Sequence, residues 1–484
     1  MLPWVISEAA RRWGDNVAYV AASGWRLSYA TLDRLSDEVA GGLAARGVGE
    51  GDVVALVLPP WPEFVVAYLA AAKLGAVTAG VNARLTPVER AACLDSVGAV
   101  VVLGEGGEPV AAAEHDAGCL PTLRVAGFVP APLSPDRDRP VAIVFTSGTT
   151  GTPKGAVYTG SRLDAITAVD TGWQWGGGSP ALAGTTFAHL GPMTKLPGVL
   201  VRGGTTHVLE RWRPADAIAL VDRERIPGLG GIPTQIALML SDSTFADHDV
   251  SCVQAIVMGG GPATPALVRA ARASFDAAVA IRYSCTEVGV GTATAFTDPP
   301  EDAEETVGRP QPGVELLVLD GDDRPVPEGD VGAVCFRSAA TMAGYWGAPE
   351  ATTAAFTSDG AVRTGDLGWV DPTRRLRLVG RAREMYVRGG ENVFPMEVEA
   401  VLASAPGVAA VAVLPRPDDT WGEVGVAVVV PVAGSDVPTL DALRAHGSNR
   451  LAAFKLPEAV VVIDALPLTP MDKVDRRALQ ALLR

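Results

Sequence analysis

The chain has 484 residues, 48% hydrophobic and 20% charged, which is the balance of a globular protein and too long for a single hydrophobic core. A formal net charge of −15 excludes a broad nucleic-acid surface, so any phosphate site has to be a local device of loop amides and a few cations. The five cysteines, Cys93, Cys119, Cys252, Cys285 and Cys335, form no C-x-x-C pair and the five histidines no H-E-x-x-H, which argues against a disulfide framework and a zinc site.

The first segment, MLPWVISEAARRWG, carries charges where a signal peptide needs an apolar stretch, and no apolar run reaches the roughly 18 residues of a membrane span. A cytoplasmic protein without a membrane span is expected. Residues 32–47 place Leu32, Leu35, Val39 and Leu43 on one helical face, closed by Gly47. Val53 to Leu58 is a continuous apolar run, as for a strand buried on both faces, followed by a helix at 64–75 and a second such strand at 76–81. Strand, helix, strand is the unit of a parallel sheet. Residues 104–139, rich in Gly, Pro, Ala and charge, are expected to be variable surface structure. Apolar strands at 141–145 and 255–258 each run into a loop of small residues, and strands at 314–319 and 331–337 flank the turn GDDRPVPEGD. After Gly380 a polar RARE segment opens about 100 residues with their own helix and strand pattern, enough for a second small domain.

The most informative stretch is FTSGTTGTPKG at 145–155. A strand delivers Thr146, Ser147, Gly148, Thr149, Thr150 and Gly151, closed by Pro153 and Lys154. Glycines let backbone amides turn toward an anion, hydroxyls add donors and the lysine adds charge, the parts needed to hold a nucleotide triphosphate. It is not a Walker loop, because Pro153 precedes the lysine and Gly155 follows it.

With this loop, the chain resembles the adenylate-forming superfamily: acyl-CoA synthetases, firefly luciferase and the adenylation domains of peptide synthetases. Further motifs follow in the family's order: Tyr283-Ser284-Cys285-Thr286-Glu287, Arg363-Thr364-Gly365-Asp366, GRAREMYVRGGENVFPMEVE at 380–399 and PLTPMDKVDRR at 467–477. The resemblance implies an α/β fold: a large N-terminal adenylate-forming domain of stacked mixed sheets and helices, residues 1–380, and a small mobile α+β C-terminal domain, residues 381–484. It implies an acyl-CoA ligase that uses ATP and Mg²⁺ to make an acyl-AMP and passes the acyl group to coenzyme A.

The resemblance also assigns roles. Lys473, one of five lysines in the chain, matches the residue bridging carboxylate and α-phosphate, where two anions must meet. Glu287 and Thr146 match the magnesium side, Thr286 the α-phosphate, Tyr283 with Ser284 the adenine site, and Asp366 with Arg381 the ribose. His189 matches a position lining the acyl pocket, and Gly260 and Gly261 let backbone pass close to nucleotide and acyl group. Arg383 matches the hinge between two domain orientations, and Gly389 and Gly390 the pantetheine tunnel.

Three departures from the family pattern bear on the first half-reaction. Asp472 precedes Lys473 where glycine is usual, Ser284-Cys285 replaces glycine and a small residue, and Glu384 follows the hinge where Asp is common. A carboxylate beside the bridging lysine opposes adenylation if it points inward, which leaves open an enzyme that makes thioesters from adenylate supplied by a partner enzyme. Transfer to a carrier protein and a silent adenylate-binding module also stay open. For the acid, Trp173, Trp175 and Gly176-Gly177-Gly178 suggest either an altered pocket wall or a surface lid, and residues 228–232, GLGGI, lack the acidic residue of amino-acid-activating relatives. An apolar or aromatic acid, bulky and from secondary metabolism, is the expectation.

Overall fold

The structure, a computed structural model, describes residues 1–104, 120–146, 153–470 and 473–483. The described residues form five sheets flanked by helices. A large N-terminal mixed α/β domain is followed by a smaller C-terminal α+β domain.

The first large sheet follows the apolar runs. Val53–Val57 is buried at every position and pairs in parallel with Val77–Gly80 and with Val101–Gly104. Pro140–Phe145 extends the sheet in parallel, and Gly155–Thr159 closes it antiparallel. The crossover is the helix Pro62–Lys73, opened by a proline at its first turn. Tyr29–Ala45 packs beside it, capped by the Ser28 side chain, which accepts from the Thr31 amide. Residues after 119 correct one expectation: Leu120 and Leu123 are fully buried, and a Cβ at Gly42 would collide with the Leu123 carbonyl. Part of the segment expected at the surface is therefore core.

A second sheet holds Gly228–Gly231, Ala255–Gly259 and Ala278–Tyr283 in parallel. A third is an antiparallel meander of Glu315–Leu319, Gly332–Arg337, Val362–Val370 and Leu376–Arg381. A small sheet built on Val17–Val20 lies near the N-terminal helix Leu2–Trp13. Beyond Arg381 the chain enters a separate sheet of Tyr386–Arg388, Glu391–Val393, Val408–Asp418, Gly422–Pro431 and Ala459–Val462. Its own core includes Val393, Val398, Leu402, Val413, Ala427 and Leu443.

Trp173 and Trp175 pack against the N-terminal helix. Trp4 lies 6.4 Å from Trp173 and 6.1 Å from Trp175, Trp13 lies 6.4 Å from Trp175, and the Arg12 guanidinium covers the Trp175 ring at 4.7 Å. These rings form a seam between the N-terminal helix and the loop that follows the helix Gly160–Thr171.

Candidate active site

The hairpin of Pro140–Phe145 and Gly155–Thr159 presents the Thr/Gly loop at its turn. Its base is closed by the Thr146 amide donating to the Lys154 carbonyl at 2.9 Å. Ser147, Gly148, Thr149, Thr150 and Gly151 lie outside the described residues, as does Asp472. The Lys154 ammonium is 5.3 Å above the Tyr345 ring. Tyr345 in turn donates to Glu287 Oε1 at 2.7 Å, so one tyrosine links the loop lysine to the second motif.

The strand Ala278–Tyr283 delivers that motif at its C-terminal end. The Tyr158 hydroxyl donates to the Thr286 carbonyl at 2.7 Å and fixes its backbone. The Ser284 hydroxyl donates to the Cys285 carbonyl. The Cys285 thiol is driven up by burial and by the Glu287 carboxylate, so it is a neutral, poorly nucleophilic group. The Tyr283 ring lies 5.9 Å from Phe336 at 49°, and its hydroxyl donates to Asp366 Oδ2 at 2.5 Å.

Asp366 and Arg381 face each other across adjacent strands of the meander, and Arg381 Nε lies 3.2 Å from Asp366 Oδ1. Burial pushes the Asp366 carboxyl upward, opposed by Arg381 and the Tyr283 hydroxyl and aided by Glu384 and Glu287. Lys473 comes from the other end of the chain and lies within electrostatic reach of Asp366, Arg381 and Cys285. Burial is the main cause lowering its ammonium pKa; Arg381 adds to it and Asp366 opposes it. Two hydrogen bonds hold the Lys473 backbone to Thr469: the Thr469 amide donates to the Lys473 carbonyl at 2.7 Å, and the Lys473 amide to Thr469 Oγ1 at 3.3 Å.

The remaining candidates lie around this centre. His189 is the N-cap residue of the helix Leu190–Arg202, where its carbonyl accepts from the Met193 amide. Gly260, at φ +79°, and Gly261 follow the strand Ala255–Gly259. Arg383 acts on Tyr345, drawing down a hydroxyl that burial and Glu287 push up. Glu384 pairs with Arg476 at 3.2 Å, and Arg476 also binds Glu399 at 2.7 Å, so the residue after the expected hinge is tied into the C-terminal domain. Gly389 and Gly390 turn an exposed hairpin of that domain at φ +59° and +89°. A Cβ on Gly389 would lie 2.8 Å from the Trp421 ring, a contact within the same domain.

Sequence reasoning missed Tyr345, Tyr158 and Arg476. Tyr345 lies in a short segment with no periodicity, and the bridge between Ala156 and Tyr345, with hydrogen bonds from Val157 to Gly344 and from Trp346 to Gly155, holds it beside the strand that follows the loop.

Residues 6–346 match the model of the AMP-binding enzyme family, and residues 397–473 that of the AMP-binding enzyme C-terminal domain. The chain belongs to this family. It is an adenylate-forming enzyme acting on a carboxylic acid, built on a nucleotide-binding fold. Among its relatives, a feruloyl-CoA synthase from Amycolatopsis sp is 33% identical over 97% of this chain and 96% of its own length. A fatty acid–acyl-carrier-protein ligase, ScoC, from Streptomyces coeruleorubidus is 32% identical over 95% of this chain and 92% of its own. Among solved structures, ATP-bound MatB from Rhodopseudomonas palustris superposes with a TM-score of 0.85, at 28% identity, over 100% of this chain and 99% of that one. Among the described residues of this adenylate-forming enzyme, no helix is long and apolar enough to cross a membrane.

Proposed function

We propose that this enzyme is an acid–thiol ligase: it joins a carboxylic acid to AMP with release of pyrophosphate, then transfers the acyl group to coenzyme A. The observation that carries the reading is that Lys473, from the chain's end, comes within electrostatic reach of Asp366 and Arg381, the pair on which Glu287 also acts. The first step brings a carboxylate onto the α-phosphorus, and two like charges about 4 Å apart repel by roughly 4 kcal/mol at an effective dielectric of 20. An ammonium between them removes that cost, which is the role given to Lys473. Thr146 and Lys154, with Ser147, Gly148, Thr149, Thr150 and Gly151, hold the outer phosphates, and Thr286 the α-phosphate. Asp366 and Arg381 hold the ribose, Tyr283 and Ser284 the adenine, and Gly260 and Gly261 the nearby backbone wall. His189 orients the acid.

A magnesium ion would neutralise the departing pyrophosphate. Among the described residues no three His, Cys, Asp or Glu side chains converge as a metal cluster. Glu287 with Thr146 therefore fits an ion that takes most of its ligands from phosphate oxygens, the usual arrangement for this metal. For the second step the small domain turns about Arg383, and Gly389 and Gly390 move in beside the pantetheine arm. Domain limits of 1–380 and 381–484 go with that motion.

Coenzyme A as acceptor is supported by the feruloyl-CoA relative, and a carrier protein by ScoC. The test is incubation with an acid panel, ATP, Mg²⁺ and either coenzyme A or a phosphopantetheinylated carrier protein, followed by mass analysis. ATP–pyrophosphate exchange is measured alongside. Acid-dependent exchange with an acyl-CoA product is expected. Product on the carrier protein alone would overturn the CoA assignment, and no exchange with thioester formed from synthetic acyl-adenylate would overturn the adenylation step.

A further inference from the structure

The helix Leu190–Arg202 places Gly191, Lys195 and Arg202 at spacings of four and seven, on one face. Opposite lies Asp170, near the end of the helix Gly160–Thr171. Lys195 Nζ is 3.3 Å from the Asp170 carboxylate, and Arg282 Nη1 reaches it at 3.5 Å from the strand Ala278–Tyr283. Arg202 donates to the Asp170 carbonyl at 2.5 Å. Among the described residues no other carboxylate pairs with these three cations, so a local excess of positive charge exists in a chain whose net charge is −15.

The side chains of Lys195 and Arg282 keep 32% and 47% of their exposure. A Cβ on Gly191, one turn before Lys195, would meet nothing within 4 Å. Gly259 is in register with Arg282, and its absent Cβ would lie 3.5 Å from the Arg282 Cβ, so Arg282 projects from the same sheet face as the start of the glycine run. His189 caps the same helix six residues before Lys195, about 9 Å along the axis.

We propose that Lys195 and Arg282, with Arg202, receive a second carboxylate at the far end of the acid, so that the preferred substrate is a diacid. This rests on the ligase reading for which end reacts, near His189. A wholly apolar acid would strip water from these cations and leave one carboxylate to balance them. A carboxylate fits the guanidinium in a paired hydrogen-bonding geometry and restores charge balance. Burial pulls the Lys195 ammonium pKa down, Arg282 and Arg202 add to it, and Asp170 opposes it. The cluster thus replaces the apolar acid that the sequence suggested with a two-headed one.

The test is calorimetric titration of the full-length enzyme with octanedioic acid and with octanoic acid. Diacid binding should be at least tenfold tighter and should weaken with added salt. In the doubly substituted Lys195→Met, Arg282→Gln enzyme the preference should fall to within about twofold, since the charge contacts that carry it are gone. Arg282→Gln alone, a change at a half-exposed side chain, should lower it several-fold and decides the same question if the double variant does not fold. Equal or tighter binding of octanoic acid, or an unchanged preference in both variants, would overturn the proposal. Pyrophosphate release with octanedioic acid separates the two readings. Tight diacid binding without any release counts against the ligase assignment and leaves the cluster's role standing, whereas release favouring octanoic acid overturns the diacid inference and leaves the ligase assignment standing.

Discussion

Two charged clusters of the molecule differ in make-up. Around Asp366 the signs are mixed: Arg381 and Lys473 oppose it, the Tyr283 hydroxyl donates to it, and Glu287 and Glu384 add negative charge. Around Asp170 two cations, Lys195 and Arg282, share one carboxylate, and a third, Arg202, donates to its backbone carbonyl. The first suits neutral sugar hydroxyls, which need a carboxylate acceptor, next to phosphates, which need a cation. The second has cations to spare and suits an anion. Charge type follows the chemistry of what each cluster has to hold, in spite of the uniformly acidic composition.

The sharpest way to break this contrast is Lys473→Ala. Adenylation measured by pyrophosphate exchange should fall about 10²–10³-fold, the usual cost of one preorganised donor to transition-state charge. Thioester formation from synthetic adenylate should stay within a few-fold of normal, and equal loss of both would assign Lys473 to the wrong step. The pH profile sharpens the same point. Only the ammonium form bridges two anions, and its pKa is lowered, so adenylation should decline on the alkaline side below the ordinary lysine value of about 10.4. Asp366 must be ionised and its pKa is raised, so the acid limb should lie above the ordinary aspartate range. Lys473→Arg should move the alkaline limb upward.

Asp366→Asn should raise the KM for ATP by about 10–100-fold, the scale of a lost charge-assisted hydrogen bond, read from initial rates at saturating acid. Tyr345→Phe removes one hydrogen bond to Glu287 and should weaken the magnesium dependence of exchange by about tenfold or less. The smallest effect is expected for Glu384→Ala. Its pair with Arg476 is about one-third exposed on both sides, so the thermal shift should correspond to under about 1 kcal/mol. A larger loss would make that pair part of the domain coupling.

Much of the architecture was legible in local pattern. The unbroken apolar run at Val53–Val57 and the Pro62–Lys73 helix gave a parallel unit, because a strand covered on both faces has no polar side to alternate. The order of Thr, Ser, Gly, Pro and Lys at 146–154 marked a nucleotide loop, because backbone amides and a cation need that composition whatever the fold. The burial of Leu123 was not legible: its backbone sits against Gly42 on a distant helix, where any side chain would collide with it, and Gly41 gives the same room to Val125 and Phe128.

The sequence by itself determined the family and the two-domain α/β class, since periodicity and motif composition are local properties of the chain. Tertiary structure alone decided which side chains share a charge environment. Tyr345 reaches Glu287, Lys473 reaches Asp366, and Asp170 gathers Lys195 and Arg282 across gaps of many residues. Electrostatic interaction depends on distance through space and on burial, and neither quantity is written in the order of residues.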